Sequence, residues 1–183
     1  ESLAFDYYRE HGLEIRVARI FNTYGPRMAL DDGRVVSNFV KQAIEGIPMT
    51  IYGDGTQTRD FTYVTDVADA FIAAAASDVS NISMNVGSGG TYSVNRLVEL
   101  LDNPAGVAHI PKRPGEPDCT FADISLITEK LGWQPKVSLE EGVASVLENI
   151  EYWRDAPVWT TESIAEATRD WFKYLGKNDG AAK

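Results

Sequence analysis

The sequence predicts an α/β fold built on a parallel sheet, with a smaller α/β lobe resting on it. Three observations carry this. Short strand-like runs alternate with segments of helical periodicity along the chain. The run Leu13 to Phe21 turns mostly apolar toward its end, as a strand in a covered sheet does. The second half is richer in helix, with shorter strands between. At 183 residues, 44% hydrophobic and 24% charged, this is one ordinary soluble domain or one part of a larger one.

The elements follow in order. Glu1 to Glu10 has a partial apolar stripe (Leu3, Ala4, Tyr7, Tyr8) and predicts a helix, with Gly12 as its C′ residue. Nothing before it signals a start, as in a fragment. Leu13 to Phe21 is a strand, and Asn22 to Gly33 a loop long enough to hint at function. Val36, Phe39, Val40, Ala43 and Ile44 recur at helical spacing, and Gly46 closes that helix. Met49 to Tyr52 is a strand, and Phe61 to Val64 a short apolar run. Thr65 is placed to cap a helix with Asp66 and Asp69 in its first turn and Val67, Ala70, Phe71 and Ala74 buried. Ser83 to Val86 is a strand, and Ser93 caps a helix with Val94, Leu97, Val98 and Leu101 inward. After a brief strand, Ala108 to Pro111, a helix from Ser125 to Leu131 stops at Gly132. Ser138 to Glu141 is a capping box opening a helix whose stripe is Leu139, Val143, Val146, Leu147 and Ile150. Pro157 breaks the chain. A last helix carries Ile164, Thr168, Trp171, Phe172 and Leu175, read as a packing element, and residues 177–183 are expected to form a flexible tail.

Composition excludes several function classes. A net charge of −10 argues against a nucleic-acid-binding module. No apolar run is long enough to span a bilayer, and no signal peptide opens the chain. The single cysteine, Cys119, fits a reducing, cytoplasmic setting. His11 and His109 stand far apart, without the spacing of a metal site.

The chain is organised around Ile51-Tyr52-Gly53-Asp54-Gly55-Thr56-Gln57-Thr58-Arg59-Asp60-Phe61. Gly-Asp-Gly predicts a tight turn after a strand. Arg59 then sits where the loop re-enters the fold and can present a rigid fork of donors to an anion. An isolated turn of this kind would mean only a hairpin with a solvated arginine. Two further loops, Asn22 to Arg27 and Lys112 to Asp118 with Arg113, raise the case for a ligand.

These stretches are familiar together. Arg19-Ile20-Phe21-Asn22-Thr23-Tyr24-Gly25-Pro26-Arg27-Met28, the run Asp31 to Phe39, the run Tyr52 to Asp66, and Arg113-Pro114-Gly115-Glu116 resemble the extended short-chain dehydrogenase/reductase family. Within it the likeness is to nucleotide-sugar epimerases, dehydratases and, nearest, UDP-glucuronate decarboxylases. It covers Glu1 to about Trp153 and is more specific for the family than for the reaction. The family's Gly-rich dinucleotide-binding turn and its Tyr-x-x-x-Lys pair do not occur in these 183 residues. The resemblance therefore implies a C-terminal half: the last part of a Rossmann-type parallel sheet (1–21 and 61–86) and a nucleotide-sugar-binding lobe (22–60 and 87–176).

Roles follow from the same resemblance. Asn22 would contact the diphosphate or sugar, and Ile20 and Phe21 would approach the nicotinamide of NAD, held mainly by the half not in this sequence. Thr50 and Tyr52 would border the uracil of a UDP-sugar, and Arg59 and Arg113 would clamp its diphosphate. Arg34 and Val35 lie where the chain would close over the nucleotide. Packing is the alternative for Ile20, Phe21 and Tyr52, and surface charge or helix packing for Arg34 and Val35. The implied whole is an NAD-dependent UDP-sugar decarboxylase, a homodimer when complete. A 4-epimerase, a 4,6-dehydratase or a non-catalytic nucleotide-sugar-binding module are the other readings. The 183 residues alone are expected to be inert, not to bind NAD, and to expose an apolar edge.

Overall fold

The computed structural model describes residues 1–176; the expected flexible tail, 177–183, lies outside the described residues. The element order is α1 (Ser2–His11), β1 (Arg16–Ile20), β2 (Asn22–Tyr24), α2 (Val35–Ile44), β3 (Met49–Tyr52), β4 (Thr58–Arg59), β5 (Phe61–Tyr63), α3 (Val64–Ala76) and β6 (Ile82–Val86). It continues with β7 (Tyr92–Ser93), α4 (Val94–Leu101), β8 (Val107–Ile110), α5 (Ser125–Leu131), α6 (Leu139–Glu148), a 3-10 turn (Ile150–Trp153) and α7 (Thr161–Leu175). The described residues form two compact units, 1–25, 59–91 and 120–142 in the first, 26–58, 92–119 and 143 onward in the second.

In the first unit, β1 pairs with β6 in parallel, from Arg16 opposite Ile82 to Ile20 opposite Val86. β2 pairs with β5, also in parallel, from Asn22 opposite Phe61 to Tyr24 opposite Tyr63. Parallel pairing needs crossover connections, and the helices between these strands supply them. Val67, Ala70 and Ala74 of α3, Met84 and Val86 of β6, Ile127 of α5 and Trp133 form one buried cluster. Each large apolar side chain so buried contributes roughly 1.5–3 kcal/mol.

Four expectations fail in this unit. The strand expected from Leu13 to Phe21 begins only at Arg16, and the loop expected from Asn22 opens with β2. Thr65 does not cap α3: β5 runs straight into the helix, Tyr63 is the N-cap, and no side chain caps it. Asp66 turns inward instead, where its carboxylate accepts the N–H of Val137 at 3.0 Å and its carbonyl accepts the Trp133 indole N–H at 3.2 Å. Phe71, expected inside, is 49% exposed, because alanines form the buried face of α3.

In the second unit, β3 and β8 pair in parallel, from Met49 opposite Val107 to Tyr52 opposite Ile110. α2 packs against β3, α4 and the 3-10 turn. Its face, Val36, Phe39 and Val40, is buried, as are Met49, Ile51, Leu97 and Trp153. Ser93 caps α4 as expected, its hydroxyl accepting the Arg96 N–H at 3.0 Å. A second cap had no forecast: Thr160 and Ser163 form a reciprocal capping box that opens α7.

Candidate functional site

The first unit changes strand partners at Phe21. The Phe21 N–H donates to the Val86 carbonyl at 3.0 Å, and the next N–H, of Asn22, donates to the Asp60 carbonyl at 3.2 Å. Ile20 therefore ends the pairing with β6 and Asn22 begins the pairing with β5. A crevice at the carboxyl end of strands, where neighbours change, is where open α/β sheets hold ligands. Ile20 is 47% exposed there, while Phe21 and Asn22 are half-buried.

Asp60, which the sequence reading passed over, is fully buried behind this point. Its carboxylate accepts the Ser88 N–H at 2.7 Å, the Ala122 N–H at 3.1 Å and the Thr62 hydroxyl at 3.2 Å. It ties three segments of the unit together beside Asn22. A charged residue next to a buried run was the available signal. Arg59 precedes it and is itself buried, 8% exposed, which does not match an arginine lying open on a loop.

In the second unit the Gly-Asp-Gly turn forms as expected. Gly53 and Gly55 have φ of 68° and 79°. The Gly53 N–H donates to the Ile110 carbonyl at 2.8 Å, and the Asn95 N–H donates to the Gly55 carbonyl at 3.0 Å. A Cβ on Gly55 would meet Asn95 Oδ1 at 2.0 Å, so the turn admits glycine on two counts. Asp54 accepts the Thr56 hydroxyl and N–H at 2.7 and 3.0 Å, and these bonds hold its carboxyl below the usual aspartate range.

Tyr52 and Arg113 are brought together. One Arg113 Nη donates to the Tyr52 hydroxyl at 2.7 Å, and the guanidinium lies 4.3 Å from the Tyr52 ring centroid. A second aromatic, Trp171 of α7, lies under the same guanidinium at 5.4 Å. The Arg113 Nε is buried without a hydrogen-bond partner. Beside this stack is a cavity of about 450 Å³, lined by Tyr52, Ile110, Pro111 and the Ile164, Ala165 and Phe172 side of α7. Thr161, Thr168 and Arg169 of α7 complete its lining.

Other expected residues have local partners. Thr50 is buried and held by Gln42, whose amide oxygen accepts the Thr50 N–H at 3.0 Å and whose Nε2 donates to its hydroxyl at 2.9 Å. Arg34 is the N-cap of α2 and forks onto Asp32, two bonds of 2.5 Å that raise its pKa. Val35 is the first residue of α2 and half-buried. Arg59 belongs to the first unit and Arg113 to the second. No cluster of His, Cys, Asp or Glu among the described residues could hold a metal ion, and no helix among them is long and apolar enough to cross a membrane.

UDP-glucuronic acid decarboxylase 1 of Arabidopsis thaliana is 48% identical over 147 residues, 78% of this chain and 34% of that protein. UDP-glucuronic acid decarboxylase 3 of the same plant is 44% identical over 161 residues, 86% of this chain and 47% of that protein. A solved structure of UDP-glucuronic acid 4-epimerase from Bacillus cereus, in complex with UDP-glucuronic acid and NAD, superposes with a TM-score of 0.75 at 33% identity, covering 82% of this chain and 49% of that one. The chain thus spans between a third and a half of the length of these relatives. The parallel α/β fold expected from the sequence is the fold of these neighbours. Residues 1–87 match the model of the NAD dependent epimerase/dehydratase family and form a domain of that family.

Proposed function

We propose that this chain supplies the substrate-orienting part of an NAD-dependent enzyme that modifies a UDP-sugar, with decarboxylation of UDP-glucuronate as the reaction. The observation that carries the reading is the Tyr52–Arg113 stack beside an apolar cavity of about 450 Å³. A uracil ring fits the cavity, against the part of Tyr52 that lines it. Arg113, with a desolvated Nε lacking an acceptor, would meet the diphosphate. By the family resemblance Arg59 is a diphosphate ligand as well, and Asn22, at the strand switch, meets the sugar or diphosphate. The nucleotide-sugar-binding lobe takes the second unit in this reading, and the first unit carries the end of the Rossmann-type sheet.

Ile20 leaves apolar surface at the end of β1, which fits one face of a nicotinamide, with Phe21 beside it. The dinucleotide's pyrophosphate needs a glycine-rich turn at a helix N-terminus, and these 183 residues contain none. This chain would thus hold only one end of NAD. NAD, when bound, would supply hydride transfer at C4 of the sugar. A ketone at C4 leaves the C5 carboxylate β to a carbonyl, which allows carbon dioxide to depart. The residues of this chain orient the sugar and neutralise phosphate charge. A cytoplasmic homodimer is the assembly the reading implies.

Calorimetry with UDP tests it. Arg59→Ala and Arg113→Ala are each expected to weaken UDP binding by about 2–5 kcal/mol, the range for removing one partner of a buried charged pair. Tyr52→Ala is expected to weaken UDP and UDP-sugar alike and leave free sugar unchanged. Unchanged UDP affinity in both arginine variants defeats their reading as diphosphate ligands. The 4-epimerase likeness keeps epimerisation as a second reading; the products released from UDP-glucuronate by the complete enzyme separate the two.

A further inference from the structure

Read as a packing helix, α7 does not account for Trp171. Only Ile164 of this helix is deeply buried, and Trp171, Tyr174 and Leu175 are 43%, 68% and 45% exposed. Trp171 nevertheless has two directed contacts, both to one loop. Its indole N–H donates to the Pro114 carbonyl at 2.7 Å, and its ring lies 5.4 Å from the guanidinium carbon of Arg113. One side chain thus grips the backbone of the loop and the side chain that precedes it.

Arginine in a loop has many rotamers, and ordering them opposes any bond its fork makes. Among the described residues, the Arg113 guanidinium makes one hydrogen bond, to Tyr52. One bond leaves the plane of the fork free to turn; aromatic surface from two elements, β3 and α7, fixes it. α7 is itself held at its start by the Thr160–Ser163 capping box, and the Trp159 carbonyl just before it accepts from Gln42 Nε2 at 2.7 Å. The helix is therefore a fixed arm with its ring set on the arginine.

We propose that Trp171 is a positioning residue, which fixes the Arg113 fork so that its remaining donors meet a phosphate-class anion. This rests on the reading of Arg113 as a diphosphate ligand. It adds a determinant from the far end of the chain.

Calorimetry with UDP and with uridine, on the 183-residue chain and its Trp171→Leu, Trp171→Phe and Arg113→Ala variants, tests it. Trp171→Leu keeps apolar bulk and removes the π face. It is expected to weaken UDP roughly three- to thirtyfold and to leave uridine unchanged. Trp171→Phe is expected to regain most of the loss, because the ring face returns. A loss in Arg113→Ala with none in Trp171→Leu overturns the positioning role and leaves Arg113 as a phosphate ligand. Equal losses for UDP and uridine in Trp171→Leu, or a Phe variant no better than Leu, reduce Trp171 to packing and overturn the role as well. Full UDP affinity in Arg113→Ala, or no UDP binding by the parent chain, overturns the Arg113 reading and the role of Trp171 with it.

Discussion

Asp60 shows what one residue can hold. It is fully buried, and its two oxygens accept two backbone N–H groups and a hydroxyl from three segments. Removing the carboxylate leaves the fully buried N–H of Ala122 and the half-buried N–H of Ser88 without their acceptor. Each unmade bond of this kind costs about 1–3 kcal/mol. Asp60→Ala is therefore expected to lower unfolding free energy by about 2–5 kcal/mol in urea denaturation. Asp60→Asn is not expected to rescue it, since one acceptor becomes a donor facing another donor. Wild-type stability in Asp60→Ala would show that water replaces the carboxylate. Arg59 was singled out from the sequence and Asp60 was not, for a physical reason. A charge beside a turn looks solvated until the segments that cross behind it, here residues 88 and 122, are known. Tyr52 was legible as a strand-end aromatic; that Arg113 would lie on it depends on the register of β3 with β8, which no local pattern encodes.

Elements were legible where local chemistry decides them. The Ser138–Glu141 box forms as written in the sequence: Glu141 Oε2 accepts the Ser138 hydroxyl at 2.7 Å and the Ser138 N–H at 3.0 Å, and Ser138 Oγ accepts the Glu141 N–H at 3.2 Å. Thr65 failed as a cap because β5 enters α3 with no gap, a tertiary constraint that overrides a good cap residue. The single strand expected to Phe21 became two because its partner changes, which apolar patterning cannot register. The box carries a pH dependence. The bond from the Ser138 hydroxyl, then that from its N–H, holds the Glu141 carboxyl below 4.5. A depressed folded pKa gives stability that is complete above the unfolded value and lost as pH falls through the folded one. The melting-temperature gap between wild type and Glu141→Ala is thus expected at pH 7 and should shrink below about 4.5; a gap constant to lower pH removes the charge from the account. Gly142, in the same helix, sets two effects against each other. Alanine gains about 0.5–1 kcal/mol of helix propensity over glycine, but its Cβ would meet Tyr24 Oη at 2.0 Å and Tyr63 Cδ2 at 2.9 Å. Both rings are buried and pack edge to face, so overpacking at about 1–3 kcal/mol wins. Gly142→Ala is expected to lower the melting temperature, and a rise would mean that the rings yield.

At the scale of the molecule, the question is how much chemistry these 183 residues can perform. The parallel α/β fold was legible because strand and helix runs alternate, and the family because four motif stretches occur in order. The division into two units was less legible, since 120–142 pack with the first unit through Ile127 and Trp133, far from it in sequence. In the proposed reading these residues serve orientation: in the first unit a strand switch at Asn22, in the second an apolar cavity at Tyr52 with Arg113 stacked on it. Hydride transfer asks for more. It needs backbone that can cradle a dinucleotide pyrophosphate and a base of suitable pKa at the sugar hydroxyl. No tyrosine here has a lysine four residues on; Tyr7 and Tyr8 are followed at that spacing by His11 and Gly12. Tyr7 meets the His11 ring at a tilt on α1, a helix with no buried residue. The chain, purified and incubated with NAD and UDP-glucuronate, is therefore expected to release no UDP-xylose and to leave nicotinamide fluorescence unchanged, while binding UDP through Arg113. Turnover would mean that a base and a cofactor cradle exist within these residues. UDP binding without turnover would locate orientation here and hydride chemistry outside these 183 residues.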